Sequence, residues 1–327
     1  MEPSRKSRCS SSREASRGRF APSPTGDLHL GSAATALVAW LSARAAGDSF
    51  VLRVEDLDAP RVVAGAEARQ LDDLRWLGLD WDEGPDIGGP LGPYRQSERS
   101  ARYEAALDDL ARRDLLYLCD CSRAEIARVA SAPHPGDEGP RYPGTCRDLG
   151  MLPRAWRRPP AIRLRVPDRV IEVDDALQGR VTQDVAAAVG DFVVRRGDGA
   201  FAYQLAVVVD DLAMGVAEVV RGADLLGSTP RQVLLADLLG GSPPRYAHVP
   251  IVLATDGTRL AKRDAGTTLR EQRAAGVEPG RLVDALARML GLGGGDAPAE
   301  LLPSFARTRL VGLASVRLPA GGLPDGR

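Results

Sequence analysis

Asparagine is absent from the 327 residues, and lysine occurs only at Lys6 and Lys262 among 43 basic residues. Arginine therefore supplies nearly all the positive charge, as a GC-rich coding bias would produce. Against that background Lys262 stands out, because a site needing only a generic positive charge would have been written as arginine. No apolar run approaches the roughly 20 residues that a bilayer helix needs, and the Arg/Ser-rich start lacks the apolar core of a secretory leader. A soluble, cytoplasmic protein without membrane partners is the expectation. Residues 1–17 are read as a disordered extension, in preference to an organellar transit segment, because no amphipathic pattern runs through them. Strong charge of one sign is also missing: the formal net charge is −1, so a polyanionic partner must be held by a local patch. Cysteine is scarce. Cys9 lies in the extension, whereas Cys119, Cys121 and Cys146 fall within one short stretch, which in a reducing compartment reads as a metal site before a disulfide.

What is present alternates between strand and helix patterns. Residues 18–22 read as a first strand, 31–46 as an Ala/Leu-rich helix, and 49–54 as a second strand. Helical spacing follows over 65–77 and 100–113, then a short strand over 115–118. After a Pro/Gly-rich interruption, strands are expected at 162–166, 170–173, 216–220 and 248–253, a hairpin over 191–201, and helices at 204–212, 229–239 and 281–290. This alternation predicts an α/β fold with a doubly wound parallel sheet.

Two segments have the chemistry of a phosphate cradle. In Ala21-Pro22-Ser23-Pro24-Thr25-Gly26-Asp27-Leu28-His29-Leu30-Gly31-Ser32 a strand gives way to a helix, where backbone N–H groups and the positive helix end favour an anion. Gly31 allows close approach of the backbone, and His29 can donate to phosphate oxygens or simply cap the helix. Far along the chain, Arg259-Leu260-Ala261-Lys262-Arg263 lies in a polar, Gly-containing loop. An ammonium there can follow charge as pyrophosphate departs; otherwise the loop is a solvated surface turn.

Together these segments resemble the signatures of class I aminoacyl-tRNA synthetases, with His29-Leu30-Gly31-Ser32 in the place of the first and Arg259 to Arg263 in the place of the Lys-Met-Ser-Lys-Ser loop. Ser32 replaces the second histidine of the first motif, and Ala261 replaces the serine of the second. Arg19-Phe20-Ala21-Pro22-Ser23 resembles the opening of the glutamyl and glutaminyl branch. The resemblance implies a Rossmann-type catalytic domain in two halves, residues 18–118 and 158–264, the latter including the remainder of an insertion. It also implies a zinc-binding insertion at 119–157 and a short helical stem-like region and tail at 265–327. It implies ATP with Mg2+ as substrate, His29 and Lys262 as catalytic residues, and His29, Gly31 and Lys262 as ATP-binding residues. Glutamate contacts are implied at Arg19, Phe20, Ala21, Pro22, Ser23, Glu55, Tyr203 and Arg221. Two arginines and one glutamate suit a ligand with two carboxylates and one amine, and an arginine left partly unpaired penalises the neutral amide of glutamine.

Cys119, Cys121 and Cys146 offer three thiolates for a tetrahedral structural zinc. Ordinary zinc chemistry favours His134 as the fourth ligand, since imidazole is common and phenolate rare. The family resemblance points to Tyr142, through the frame Tyr142-Pro143-Gly144-Thr145-Cys146. The 65 residues after Lys262 leave little room for a helical anticodon-binding domain. The similar truncated members of the family are the glutamyl-queuosine tRNA(Asp) synthetases, which implies L-glutamate, ATP and queuosine-containing tRNA(Asp) as partners and a monomer as the working form. A truncated enzyme charging tRNA(Glu), and an inactive zinc-stabilised RNA-binding paralogue, are the two alternatives.

Overall fold

The structure, a computed structural model, describes residues 16–129, 141–152, 154–258, 260 and 267–318. Its centre is a six-stranded sheet. β1 (Arg17–Phe20) is flanked by β2 (Ser49–Leu52) and β8 (Val216–Gly222), and the sheet continues through β9 (Arg245–Val249) and β5 (Val170–Asp175) to the edge strand β6 (Gly179–Asp184). All neighbours are parallel except β5 and β6, which form an antiparallel hairpin. Chain order leaves β1 in opposite directions, to β2 on one side and to β8 on the other. That is the switch point outside which open parallel sheets place their ligands.

Two cores cover the faces of the sheet. On one, α1 (Leu30–Ala46) is apolar almost all round and buried, as a helix enclosed by other elements must be. It lies so close to β1 that a Cβ added to Gly18 would sit 2.6 Å from Cβ of Ala43. Gly47 ends the helix in the left-handed conformation at φ 73°. α2 (Ala66–Trp76) joins this core, and so do residues well beyond the second signature segment: Leu282, Val283 and Leu286 of α9 (Pro279–Met289) and Leu301 of α10 (Pro298–Leu301). The region after residue 267 therefore packs on the catalytic half instead of trailing from it. It begins with α8 (Leu269–Ala274), capped by a reciprocal Thr268–Glu271 box, and ends with β11 (Ser315–Arg317) paired to β10 (Ile251–Leu253). On the other face lie α3 (Ser100–Arg112), α6 (Tyr203–Ala213) and α7 (Thr229–Leu238).

The segments expected as strands at 115–118 and 162–166, and the first arm of the hairpin expected over 191–201, form a separate sheet. β3 (Leu116–Cys119) pairs antiparallel with β4 (Ala161–Leu164), which pairs with β7 (Val193–Arg195). The chain makes β5, β6 and the short α5 (Val185–Ala188) between β4 and β7, so the small sheet is interleaved with the large one. α4 (Arg123–Val129) follows β3. Among the described residues no helix is long and apolar enough to cross a membrane.

Candidate active site

A cavity of about 420 Å³ opens at the carboxyl ends of β1 and β8. β1 delivers Arg19 and Phe20 to it, and the loop that follows contributes Ala21, Pro22 and Ser23. The start of α1 supplies His29 and Gly31, the segment after β2 supplies Glu55, α6 supplies Tyr203 and β8 supplies Arg221. Every expected glutamate contact thus reaches the same cavity as the expected nucleotide residues, apart from Lys262, which lies outside the described residues.

The charges around this cavity are paired unequally. Asp211 accepts from Arg53 Nη1 at 2.7 Å and from Arg19 Nε at 3.4 Å, and Arg19 Nη1 donates to the Val220 carbonyl at 3.1 Å. Burial works to raise the Asp211 carboxyl, but Arg53 and Arg19 outweigh it and hold it below the usual carboxylate range. Glu55 behaves oppositely: burial raises its carboxyl, despite opposition from Arg53, whose Nη2 donates to Oε1 at 3.1 Å, and from Arg19. A carboxylate so placed gains from an incoming ammonium group. Asp210, next to Asp211 on α6, is fully buried and accepts from Arg99 Nε at 2.5 Å, Tyr103 Oη at 2.8 Å and Gln96 Nε2 at 2.9 Å. It locks α3 to α6 and so fixes the helix that carries Tyr203 and Asp211.

Arg221 is different. Its Nε donates to His248 Nε2 at 3.0 Å, its Nη1 to Gln232 Oε1 at 2.6 Å, and its Nη2 to Thr229 Oγ1 at 2.8 Å. Gln232 is oriented in turn by donating from Nε2 to Gln204 Oε1 at 2.8 Å. All these acceptors are uncharged, and among the described residues no carboxylate pairs with Arg221. A guanidinium only 5% exposed thus lines the cavity with its charge uncompensated. Burying a cation without a counter-ion is costly unless a ligand brings the anion.

At the other end His29 is both cap and lining. Its Nδ1 accepts from the Ser32 N–H at 3.1 Å, and its Nε2 lies 3.1 Å from Ser32 Oγ. A Cβ on Gly31 would stand 3.1 Å from two atoms of the His29 ring, so a larger residue there would crowd the imidazole. The start of α1 is tied to the far end of the chain by backbone bonds: Leu30 N–H donates to the Thr267 carbonyl and Leu269 N–H to the Leu28 carbonyl, both at 2.9 Å. Leu260 lines the cavity as well, and Thr267, on the other side of 261–266, is bonded to the start of α1.

The three thiols converge beyond β3. The sulfurs of Cys119, Cys121 and Cys146 lie within 4.8 Å of one another. The Tyr142 hydroxyl stands 3.3 Å from Cys119 Sγ and 4.0 Å from Cys121 Sγ, and Cys121 and Cys146 Sγ are 3.7 Å apart. A tetrahedral zinc with ordinary bond lengths requires about 3.8 Å between sulfurs and about 3.5 Å between sulfur and oxygen. The Cys121–Cys146 and Tyr142–Cys119 separations are close to those edges, and the Tyr142–Cys121 separation is about half an ångström longer. Arg154 Nη2 lies 3.5 Å from Cys146 Sγ, where its charge favours a thiolate. His134 lies outside the described residues.

A second cavity, of about 570 Å³, shares Ser23, Glu55 and Tyr203 with the first and runs toward Cys121 and the small sheet, past Arg61, Arg123 and Arg196. Sequence reasoning passed over Asp211, Gln232, Asp175 and His248 as site residues. For Asp211 a signal existed, since two acidic residues in an otherwise apolar helix need buried partners; for His248 none did.

The family model for the catalytic domain of class I tRNA synthetases (E and Q) matches residues 16–297. A protein of Symbiobacterium thermophilum named Glutamyl-Q tRNA(Asp) synthetase is 50% identical over 311 residues, covering 93% of this chain and 96% of the relative. A protein of the same name from Nocardia farcinica is 54% identical over 297 residues, 90% of each. Among solved structures, a glutamate tRNA ligase from Elizabethkingia meningosepticum in complex with its amino acid superposes with a TM-score of 0.78 at 29% identity, over 94% of this chain and 68% of that one. With a two-ended cavity at the switch point of its parallel sheet and the family model spanning most of its length, the chain belongs to the class I tRNA synthetases of the glutamate and glutamine branch.

Proposed function

We propose that this chain activates L-glutamate with ATP and Mg2+ to glutamyl-adenylate and transfers the glutamyl group to the cyclopentenediol of queuosine in tRNA(Asp). The observation that carries the reading is Arg221, a buried cation aimed into the cavity by neutral acceptors alone. The side-chain carboxylate of glutamate supplies the missing anion, Arg19 and Ser23 contact the substrate from β1 and its loop, and Glu55 holds the ammonium. Glutamine would leave the guanidinium unneutralised, which favours the acid.

In the first step an oxygen of the glutamate α-carboxylate attacks the α-phosphorus of ATP, and the bond to the pyrophosphate oxygen breaks. The start of α1, His29 and the close backbone at Gly31 stabilise the phosphate charge, and Lys262 follows the departing pyrophosphate. A hydroxyl of the acceptor then attacks the adenylate carbonyl, gives up its proton and expels AMP. The second cavity reaches Glu55 and Tyr203 from the opposite side and presents Arg61 and Arg123, which suits a polyanionic acceptor. Cys119, Cys121, Cys146 and Tyr142 would hold a zinc ion with a structural role, bracing the wall of that cavity at Cys121.

The names of relatives that share nearly the full length support queuosine over the 3′ end of tRNA(Glu). The test is glutamate-dependent ATP–pyrophosphate exchange without tRNA, followed by transfer to queuosine-containing tRNA(Asp), unmodified tRNA(Asp) and tRNA(Glu). Exchange without tRNA and transfer to the modified tRNA alone are expected. Equal charging of the unmodified tRNA overturns the queuosine assignment.

A further inference from the structure

Behind Arg221 three adjacent strands align a chain of polar groups that no substrate reaches. Asp175 ends β5, His248 lies on β9, and Arg221 pairs with His248 in register on β8. His248 is 0% and Asp175 5% exposed. Asp175 Oδ1 accepts from the backbone N–H groups of Leu177, Gln178 and His248 at 3.0, 2.8 and 3.2 Å, and Oδ2 lies 2.6 Å from His248 Nδ1. We propose that Asp175 and His248 are positioning residues for recognition of the substrate's side-chain carboxylate, acting through Arg221; the inference rests on the glutamate reading above.

The ring nitrogen of His248 that carries the proton decides how Arg221 is held. An ionised carboxylate only accepts, so the proton of neutral His248 is on Nδ1 and the lone pair on Nε2. That lone pair takes the Arg221 Nε–H at 3.0 Å. The other tautomer, or the doubly protonated ring, would set an N–H against an N–H across the same gap. Burial pulls the imidazole below its usual pKa and keeps it neutral, while the His248 contact and the backbone donors hold Asp175 ionised against its own burial. The arrangement also explains the choice of acceptor. A carboxylate touching Arg221 would aim it equally well but would cancel the charge that glutamate needs; an imidazole aims it and leaves the charge intact.

Asp175→Asn isolates this effect. The amide oxygen can keep the three backbone bonds of Oδ1, while the amide nitrogen faces Nδ1 as a donor and forces the proton onto Nε2, against Arg221. In pyrophosphate exchange on the full chain, KM for glutamate is expected to rise about tenfold or more, with KM for ATP within about twofold. His248→Gln, whose amide oxygen can take the place of Nε2 as acceptor, should keep glutamate KM within about threefold, whereas His248→Leu should raise it as Asp175→Asn does. Should Asp175→Asn fail to fold, the Gln and Leu pair decides. Unchanged glutamate KM in Asp175→Asn, equal KM for glutamate in the Gln and Leu variants, or parallel losses in both substrates tracking a lowered melting temperature overturn the proposal. Absence of glutamate-dependent exchange in the unsubstituted chain overturns the functional reading instead.

Discussion

Replacing Arg221 with glutamine removes the only guanidinium near the cavity that no carboxylate partners among the described residues, and the size of the effect follows from its donors. Arginine has five N–H groups. Three are committed at 2.6 to 3.0 Å to His248, Gln232 and Thr229, and one more leans on the Leu225 carbonyl at 3.4 Å. One unspent and one loosely held N–H are therefore open to a carboxylate. Each charge-assisted bond contributes about 1.5–3 kcal/mol, so their loss costs on the order of 3–6 kcal/mol, or roughly 10²- to 10⁴-fold in kcat/KM for glutamate. Arg221→Lys keeps the charge but not the four-way tether and should fall between the two. Glutamine as substrate should lose far less, so the acid-over-amide preference shrinks by a comparable factor. Pyrophosphate exchange with both amino acids measures all of this. If Arg221→Gln retains glutamate kcat/KM within about threefold, or if both amino acids lose activity equally, the buried cation is not what selects the acid.

Two further outcomes are expected. Burial and the neighbouring Asp27 and Asp72 raise the Asp73 carboxyl to about 6, and among the described residues its Oδ2 has no hydrogen-bond partner. A carboxyl raised in the folded state is penalised once pH exceeds its unfolded value, and the penalty is complete above its folded value. Asp73→Asn should therefore stabilise the protein by about 1–2 kcal/mol at about pH 8, after discounting for solvent screening, and change little at about pH 4, as read by thermal melts. The opposite pH order would contradict the assignment. For the thiol cluster, elemental analysis should find one zinc per chain, and Cys146→Ser or a strong chelator should remove it and lower stability on the order of a few kcal/mol. A metal-free preparation indifferent to chelator would dispose of the zinc.

Much of the site was legible because its residues sit at ends of elements whose patterns are strong. Arg19 ends a strand, His29 precedes an Ala/Leu-rich helix, and Arg221 ends an apolar strand; a parallel sheet gathers such ends at one edge. The support behind them was not legible. His248 and Asp175 are 73 residues apart on different strands, and strand pairing order is a tertiary fact that neither local sequence carries. β6 was missed for a related reason: its six residues are exposed or half-buried, so no apolar alternation marks them, and only pairing with β5 makes them a strand. β3 has the right pattern, yet alternation cannot say which sheet a strand joins.

The backbone bonds between 267–269 and 28–30 bear on how variable this protein can be. Peptide groups make the bonds themselves, but Leu28, Leu30 and Leu269 are also buried together in one core, so these positions need apolar side chains as well as their main-chain donors and acceptors. Proline at residue 30 or 269 would fit neither requirement, since it would also delete the N–H that stitches the two segments together.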